Sequence, residues 1–283
     1  MYTIDSISNL RNHLWQAKLD HKTIAFVPTM GNLHEGHLQL IDRALEEVDL
    51  VVASIFVNPL QFGPNENFNG YPRTFMADQE KLISRGCHVL FAPSVDEMYP
   101  TTNISSTTVK VPHLEQLLCG ASRPGHFTGV ATVVSKLFGI VQPDVAIFGL
   151  KDYQQFLVIK QLTYDLCLPV KIIGAPIARA ESGLALSSRN GYLSDEELMQ
   201  AAQLYVCLSA CRVALETGET DLSKLEEQAQ CELESAGFRR DYFKICRQDN
   251  LQPAEANDKD LVIAAAAYLG KARLIDNVRV TLP

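Results

Sequence analysis

Pro28-Thr-Met-Gly-Asn-Leu-His34-Glu-Gly-His37 lies between two segments of different period. Before it, Thr23-Ile-Ala-Phe-Val27 is a short unbroken apolar run, the pattern of a strand buried on both faces. After it, Leu38, Ile41, Leu45 and Val48 recur at helical spacing, which predicts a helix over about 36–47. The stretch is therefore a strand-to-helix turn. The free N–H groups and positive dipole end of a helix that starts there suit a phosphate. His34 and His37, three residues apart, fall on one side of its first turn.

Working outward, the same alternation repeats. Residues 5–18 read as a helix with Ile7, Leu10 and Leu14 on one face. Leu50 to Val57 is a second apolar β-rich run, stopped by Asn58-Pro59. Phe75 to Arg85 reads as a helix, His88 to Ala92 as a strand, and Ser105 to Val111 as a weakly alternating edge strand. A helix over 126–141, a strand from Asp144 to Gly149, a helix from Asp152 to Leu166 and a strand from Val170 to Gly174 follow. Non-alternating apolar strands separated by helices predict a doubly wound parallel α/β sheet covered on both faces. The pattern changes after Pro176. Ser194-x-x-Glu197 is a capping box opening a helix to about Glu216, with Cys207 and Cys211 on one face as small core residues. A helix over 221–236 ends at Gly237, and strand-like runs cover 241–247, 260–267 and 272–280. This is an α+β pattern, and it sets domains of 1–175 and 176–283. Ala264 to Ala267 reads as a tightly packed strand.

At 283 residues the chain can bury a sizeable core in two domains. A net charge of −8 and a pI near 5.4 argue against a general nucleic-acid binder. The N-terminus lacks the basic and apolar regions of a signal peptide, and no apolar stretch approaches the roughly 20 residues of a membrane span. Seven scattered cysteines without a CxxC fit reduced thiols in a cytoplasmic protein.

In an open α/β sheet, ligands bind beyond the carboxyl ends of the strands. Four polar segments collect there: residues 30–37, the run Asn58 to Phe62, the run Gly149 to Gln155, and Leu186-Ser-Ser-Arg-Asn190. Each alone could be an ordinary polar loop; four at one sheet edge make that explanation poor. Lys151 and Arg189 are cations suited to triphosphate oxygens and to a leaving pyrophosphate. Ser187 and Ser188 add donors. Asp152 could accept a ribose hydroxyl or support a cation. Gln61 and Gln155 are neutral amides able to orient a carboxylate or hydroxyl without adding charge. Arg123 to Gly129 is a further loop-to-helix entry, equally readable as a lining segment or as a simple helix start.

The histidine pair itself admits three readings. One is a βα turn with two surface histidines. The second is zinc, which the spacing disfavours: the H-E-x-x-H motif needs histidines four apart, and Leu38 stands where the second ligand would be. The third is the HIGH signature of nucleotidyltransferases, in which histidines stabilise a triphosphate during attack on its α-phosphate. The remaining motifs favour the third. PTMGNLHEGH, SIFVNPLQF (54–62), YPRT (71–74), LCGASRPGHFTGV (118–130), GLKDYQQ (149–155) and LSSRN (186–190) resemble, in order and across the first 190 residues, the pantothenate synthetase family of pantoate–β-alanine ligases.

The resemblance implies a Rossmann-like ATP domain with a smaller C-terminal lid, a homodimer, Mg²⁺, and two half-reactions. Pantoate carboxylate attacks the ATP α-phosphate to give pantoyl adenylate and pyrophosphate, and the β-alanine amine then displaces AMP. By position it implies that Met30, Gly31, Asn32, Leu33, His34, Glu35, Gly36 and His37 cover the phosphates, with His37 as proton donor. It places Gly149, Leu150, Lys151, Asp152 and Leu186, Ser187, Ser188, Arg189 on ATP, with Ala178 near the adenine. Gln61 is assigned to both pantoate and β-alanine, and Gln155 to pantoate. Two departures stand out. Leu60 and Leu186 replace methionines common in the family, which nearly conserves volume. The acidic run after YPRT is thin, Thr74-Phe-Met-Ala-Asp78, so no protein ligand of Mg²⁺ is assigned and the ion would ride mainly on the phosphates. A rival reading is another HIGH-type nucleotidyltransferase that keeps the adenylate in its product; Gln61 and Gln155, neutral where a phosphate acceptor would need cations, argue against it. A non-catalytic nucleotide-binding module fits poorly with two cations and two histidines around one site.

Overall fold

The computed structural model describes residues 1–63, 66–100 and 107–283. Strands β1 (Tyr2–Ile4), β2 (Ile24–Thr29), β3 (Leu50–Ile55), β4 (Val89–Phe91), β5 (Val145–Gly149) and β6 (Lys171–Ala175) form one sheet in the spatial order β1-β4-β3-β2-β5-β6, with every pair parallel. The central strands are apolar on both faces, because helices cover both. Helices α1 (Ile7–Leu19), α7 (His126–Val141) and α8 (Tyr153–Asp165) bury Leu10, Phe26, Val134, Phe138 and Val158 on one side. Helices α2 (Glu35–Leu45) and α3 (Phe75–Ser84) bury Val27, Ile41, Leu82 and Ile147 on the other. The chain builds outward from β2 through β3 and β4, then crosses back to lay β5 on the opposite edge of β2. That reversal leaves a crevice beyond the carboxyl ends of β2 and β5, where such sheets hold ligands.

The expected sheet is present, with differences at its margins. The expected 5–18 helix spans Ile7–Leu19, and before it lies β1, too short at three residues to show a period, pairing with β4. The expected edge strand over Ser105–Val111 is not found over 107–111. There the chain is irregular, and the Val109 N–H donates to Thr132 Oγ1 at 3.0 Å instead of to a strand; its first two residues lie outside the described residues.

Short helices α4 (Val95–Met98), α5 (Pro112–Glu115) and α6 (Leu118–Ser122) bridge β4 to α7. After β6 come α9 (Asp195–Ala201), α10 (Gln203–Glu216), α11 (Leu222–Ser235) and an antiparallel sheet of β7 (Arg239–Arg247), β8 (Asp260–Leu269) and β9 (Ala272–Thr281). The single helix expected from Ser194 is thus two, joined at Ala202, although the capping box forms as expected. Together they run 22 residues, long and apolar enough by composition for a membrane span, contrary to the sequence expectation. Their apolar side instead packs on the antiparallel sheet through Leu204, Cys207, Leu208, Cys211 and Leu215.

Strand alternation divides that sheet's faces. Leu261, Ile263, Ala265 and Ala267 of β8 join the core beneath α10 and α11, while Val262 and Ala264 face the parallel sheet. The alanine run leaves room there for a cavity.

Candidate active site

A cavity of about 310 Å³ lies at the crevice, between the carboxyl ends of β2 and β5 and the inner face of β8 and β9. The size suits a small organic ligand. All four polar segments singled out in the sequence reach it. Met30, His34, Gly36 and His37 line it from the first turn, and Gln61 from the second. Gly149, Lys151, Asp152 and Gln155 line it from the third; Leu186, Ser187, Ser188 and Arg189 from the fourth, with Ala178 beside them. Gly31, Asn32, Leu33, Glu35 and Leu150 do not form its wall. Glu35 points outward to Arg85, and Leu150 is buried in the core.

The histidines are locked by the helix they begin. His34 is the N-cap of α2, and its Nδ1 accepts the Gly36 N–H at 3.1 Å. His37 Nδ1 accepts the His34 N–H at 3.3 Å, closing a reciprocal capping box. Each Nδ1 is an acceptor, so each neutral ring must carry its proton on Nε2. The rings lie 4.0 Å apart. Burial, with Lys151, pulls His34 down to about 4; burial, then His34 and Lys151, pull His37 down to about 3. Both are therefore neutral Nε2–H donors near pH 7. Protonating either ring would place a second N–H against the N–H it caps.

The turn before them is held from behind. Gly31 at φ 79° and Asn32 at φ 51° take the chain through left-handed geometry. Asp78 of α3, 1% exposed, accepts the Asn32 N–H at 2.8 Å, the Leu33 N–H at 2.7 Å and the Thr74 hydroxyl at 3.0 Å. Lys81 donates to the Leu33 carbonyl at 2.7 Å. The N–H groups of Asn32 and Leu33 thus serve Asp78 and not a phosphate, and within the first turn of α2 the Gly36 N–H is already taken by His34, which leaves fewer free helix N–H groups than the sequence suggests. Asp78, the carboxylate left in the thin acidic run, is fully engaged in this clamp.

Gln61 sits in the 3₁₀ turn Pro59–Gln61, 8% exposed. Its Oε1 accepts from Asn58 Nδ2 at 3.1 Å, and its Nε2 approaches Met30 Sδ at 2.8 Å. Asn58 also donates to the Gly129 carbonyl at 3.1 Å and accepts from the Tyr99 hydroxyl at 2.9 Å. The start of α7 presses against this turn. A β-carbon on Gly129 would lie 2.2 Å from the Leu60 carbonyl oxygen, so no larger residue fits.

The segment from Arg123 is a lining segment, which settles the reading left open by the sequence. Arg123 is gripped by Glu66 at 2.6 and 2.8 Å and donates to His126 Nε2 at 2.9 Å. A guanidinium only donates, so His126 must hold its proton on Nδ1 and give it to the Gln61 carbonyl at 2.8 Å. Burial and Arg123 pull His126 down to about 4.

Opposite lies a positive wall. Lys151 is mostly covered, with Nζ 3.5 Å from Asp152 Oδ2. Burial raises the Asp152 carboxyl, but Lys151 and Arg189 outweigh it and hold the group below its usual range. Burial and the nearby Arg123 pull the Arg189 guanidinium down, the effect of crowding cations in a covered site. The two adjacent glutamines part company. Gln154 is structural, accepting the Cys119 N–H at 3.0 Å and donating to the Leu114 and Leu117 carbonyls. Gln155 lines the cavity and has no side-chain partner among the described residues.

The three depressed histidines of the cavity, His34, His37 and His126, fix one response to acid. An unfolded histidine titrates near 6.5, so below that the unfolded chain binds protons the native chain refuses. Stability is therefore expected to fall as pH drops from about 7 towards 4. Urea unfolding at pH 7, 6 and 5 would show it, with a shallower slope in a His37→Asn variant. Equal slopes would mean that His37 titrates normally.

The family described as pantoate-beta-alanine ligase matches residues 2–279. The chain is 57% identical to the pantothenate synthetase of Pseudomonas fluorescens over 282 residues, covering 100% of this chain and 99% of that one. It is 55% identical to the pantothenate synthetase of Pseudomonas entomophila, covering 98% and 97%. The crystal structure of pantothenate synthetase from Thermus thermophilus superposes with a TM-score of 0.92 at 44% identity over the whole of both chains. The pantoate-beta-alanine ligase of Francisella tularensis, complexed with beta-gamma ATP and beta-alanine, superposes with a TM-score of 0.80 at 36% identity, covering 98% and 97%.

Proposed function

The chain belongs to the pantoate–β-alanine ligase family, and from that premise we propose how its cavity divides the work of the reaction. It is an ATP-dependent ligase that forms the amide bond between pantoate and β-alanine. The observation that carries the reading is the pairing, across one small cavity, of a cationic wall with a neutral amide wall. Lys151, Arg189, Ser187 and Ser188 take the phosphates; Gln61 and Gln155 take the organic substrates.

In the first step a pantoate carboxylate oxygen bonds to the α-phosphorus as the bond to the bridging oxygen of pyrophosphate breaks. His34 and His37 direct Nε2–H groups at the charge that grows on the phosphates. Neutral rings serve this best, since they cost no desolvated cation before ATP arrives. In the second step the β-alanine nitrogen attacks the acyl carbon, loses a proton, and AMP leaves with the C–O electron pair. Gln61 orients the nucleophile in each step, because one amide offers donors and an acceptor without charge.

Mg²⁺ supplies charge neutralisation to the triphosphate when bound. Asp276 of the cavity wall is engaged by Arg179, and Asp78 by backbone N–H groups, which leaves Asp152 to share the ion with the phosphates. No cluster of three metal-ligating side chains occurs among the described residues. We take residues 1–175 as the ATP- and pantoate-binding domain and 176–283 as the lid, which brings Ser187, Ser188 and Arg189 to the phosphates, and assign the enzyme to the cytoplasm, supported by seven free cysteines. A homodimer is the assembly proposed.

Incubation with ATP, Mg²⁺ and pantoate, with and without β-alanine, tests the reading. AMP and pyrophosphate are expected, with AMP released in quantity only when β-alanine is present. Formation of ADP and phosphate would overturn the adenylate route.

A further inference from the structure

The cationic wall comes from two separate loops, and neither is held by the parallel sheet alone. The turn carrying Lys151 and Asp152 follows β5, while the segment 176–189, which carries Ala178 and Ser187 to Arg189, follows β6 and leads away to α9. Two consecutive residues of β9, Asp276 and Asn277, each 4% exposed, tie both loops to the antiparallel sheet. Asn277 Nδ2 donates to the Leu150 carbonyl at 2.9 Å and to the Lys151 carbonyl at 3.0 Å. Asp276 accepts two bonds from Arg179, at 2.6 and 2.9 Å. Arg179 also donates to the Gly183 carbonyl at 3.0 Å and lies 3.8 Å over the Tyr205 ring of α10. Adjacent strand residues point to opposite faces, so one dipeptide can grip two loops on either side of its sheet.

Each element of this bracket is specific. Both hydrogens of the Asn277 amide are used on carbonyls of the turn that presents Lys151. A carboxylate there would set two acceptors against two acceptors. The Arg179–Asp276 pair is a bidentate fork, the geometry that fixes orientation best. Asp276 in turn accepts the Asn277 N–H at 2.7 Å, which couples the two grips.

The geometry assigns Asn277, with Asp276 beside it, as a positioning residue that sets the spacing between Lys151 and the Ser187–Arg189 segment for adenylate formation. It touches neither reacting atom in this role; it holds the cation that does. The inference rests on the reading of Lys151 as a phosphate-facing group. It also makes the antiparallel sheet a structural part of the ATP half of the site, so that only its docked position completes the cationic wall.

The test compares Asn277→Asp, Asn277→Ala and Lys151→Ala in both half-reactions: ATP with pantoate, and isolated pantoyl adenylate with β-alanine. Displacing a catalytic group by about an ångström can cost about 100-fold. Asn277→Asp is therefore expected to lose about 30- to 100-fold in kcat for adenylate formation, with Asn277→Ala intermediate because it removes the donor without adding charge. Use of preformed adenylate should change less than about threefold in both. Melting temperatures locate any general loss of fold. If Asn277→Asp and Asn277→Ala slow both half-reactions equally and in step with their melting temperatures, or if both keep the wild-type first step while Lys151→Ala loses it, the bracket is overturned. If Lys151→Ala itself keeps the first step, the reading of the cationic wall fails, and the bracket with it.

Discussion

Replacing His37 by alanine is expected to slow adenylate formation about 100- to 1,000-fold, the usual cost of removing a donor to charge that develops in a transition state. The expectation follows from the tautomer. His37 Nδ1 is occupied by the His34 N–H, so the ring is fixed as an Nε2–H donor at the cavity wall. A donor that engages mainly as charge builds should lower kcat while leaving pantoate affinity nearly unchanged. Single-turnover mixing of ATP and pantoate measures the step directly. A normal first half-reaction in the variant would remove His37 from this role, and a loss confined to KM would make it a ground-state contact. Because the same substitution deletes half of the capping box, the start of α2 loses the bond that holds the His34 N–H as well. A His37→Asn variant, which keeps a cap acceptor, separates the two effects.

The second large effect concerns Gln61 and Arg189, which should fail in opposite ways. Gln61→Ala is expected to cost about 100-fold in both half-reactions while sparing ATP affinity, since misplaced nucleophiles cost rates of that order. Gln61 is held by Asn58, by the carbonyl contact of His126 and by the close packing at Gly129, so its amide is positioned before substrate arrives. Arg189→Ala should weaken ATP use and leave preformed adenylate with β-alanine nearly intact. Paired assays on ATP plus pantoate and on isolated adenylate plus β-alanine distinguish them. If Gln61→Ala reduced only ATP affinity, or both variants failed equally in the second step, the division into cationic and amide walls would be wrong.

Most of the sheet was legible because β2, β3 and β5 are buried on both faces and read as unbroken apolar runs, and the half-buried edge strand β6 is apolar as well. β1 was not, since three residues carry no period. The irregular chain at 107–111 imitates alternation because Val109 and Val111 are drawn inward by the core under α7, not by a neighbouring strand. The lining residues of the site were legible where they sit in turns after strands. What holds them was not. Asp78, Asn58, His126 and Asn277 act through contacts 45, 71, 65 and 127 residues away in sequence, and no local spacing encodes such pairs. Gln154 and Gln155 are indistinguishable in sequence; both reach the cavity wall, but helix rotation ties the first amide to backbone groups and leaves the second without a side-chain partner among the described residues.

The reversal that creates the crevice also bears on how the molecule comes into being. The Ile24 N–H at the head of β2 is met by the carboxylate of Asp144, 120 residues further along the chain. β2 can pair with β3 after a short connection, but its other edge stays open until β5 arrives. Closing a loop of that length precedes any reward from the contact, and parallel pairings of high sequence separation form slowly. The strand that ends up most protected is thus the one whose apolar edge waits longest for a partner, and that interval is when such an edge can add a strand from another chain. The same crossing that places the turns after β2 and β5 side by side makes the centre of the sheet its kinetic weak point.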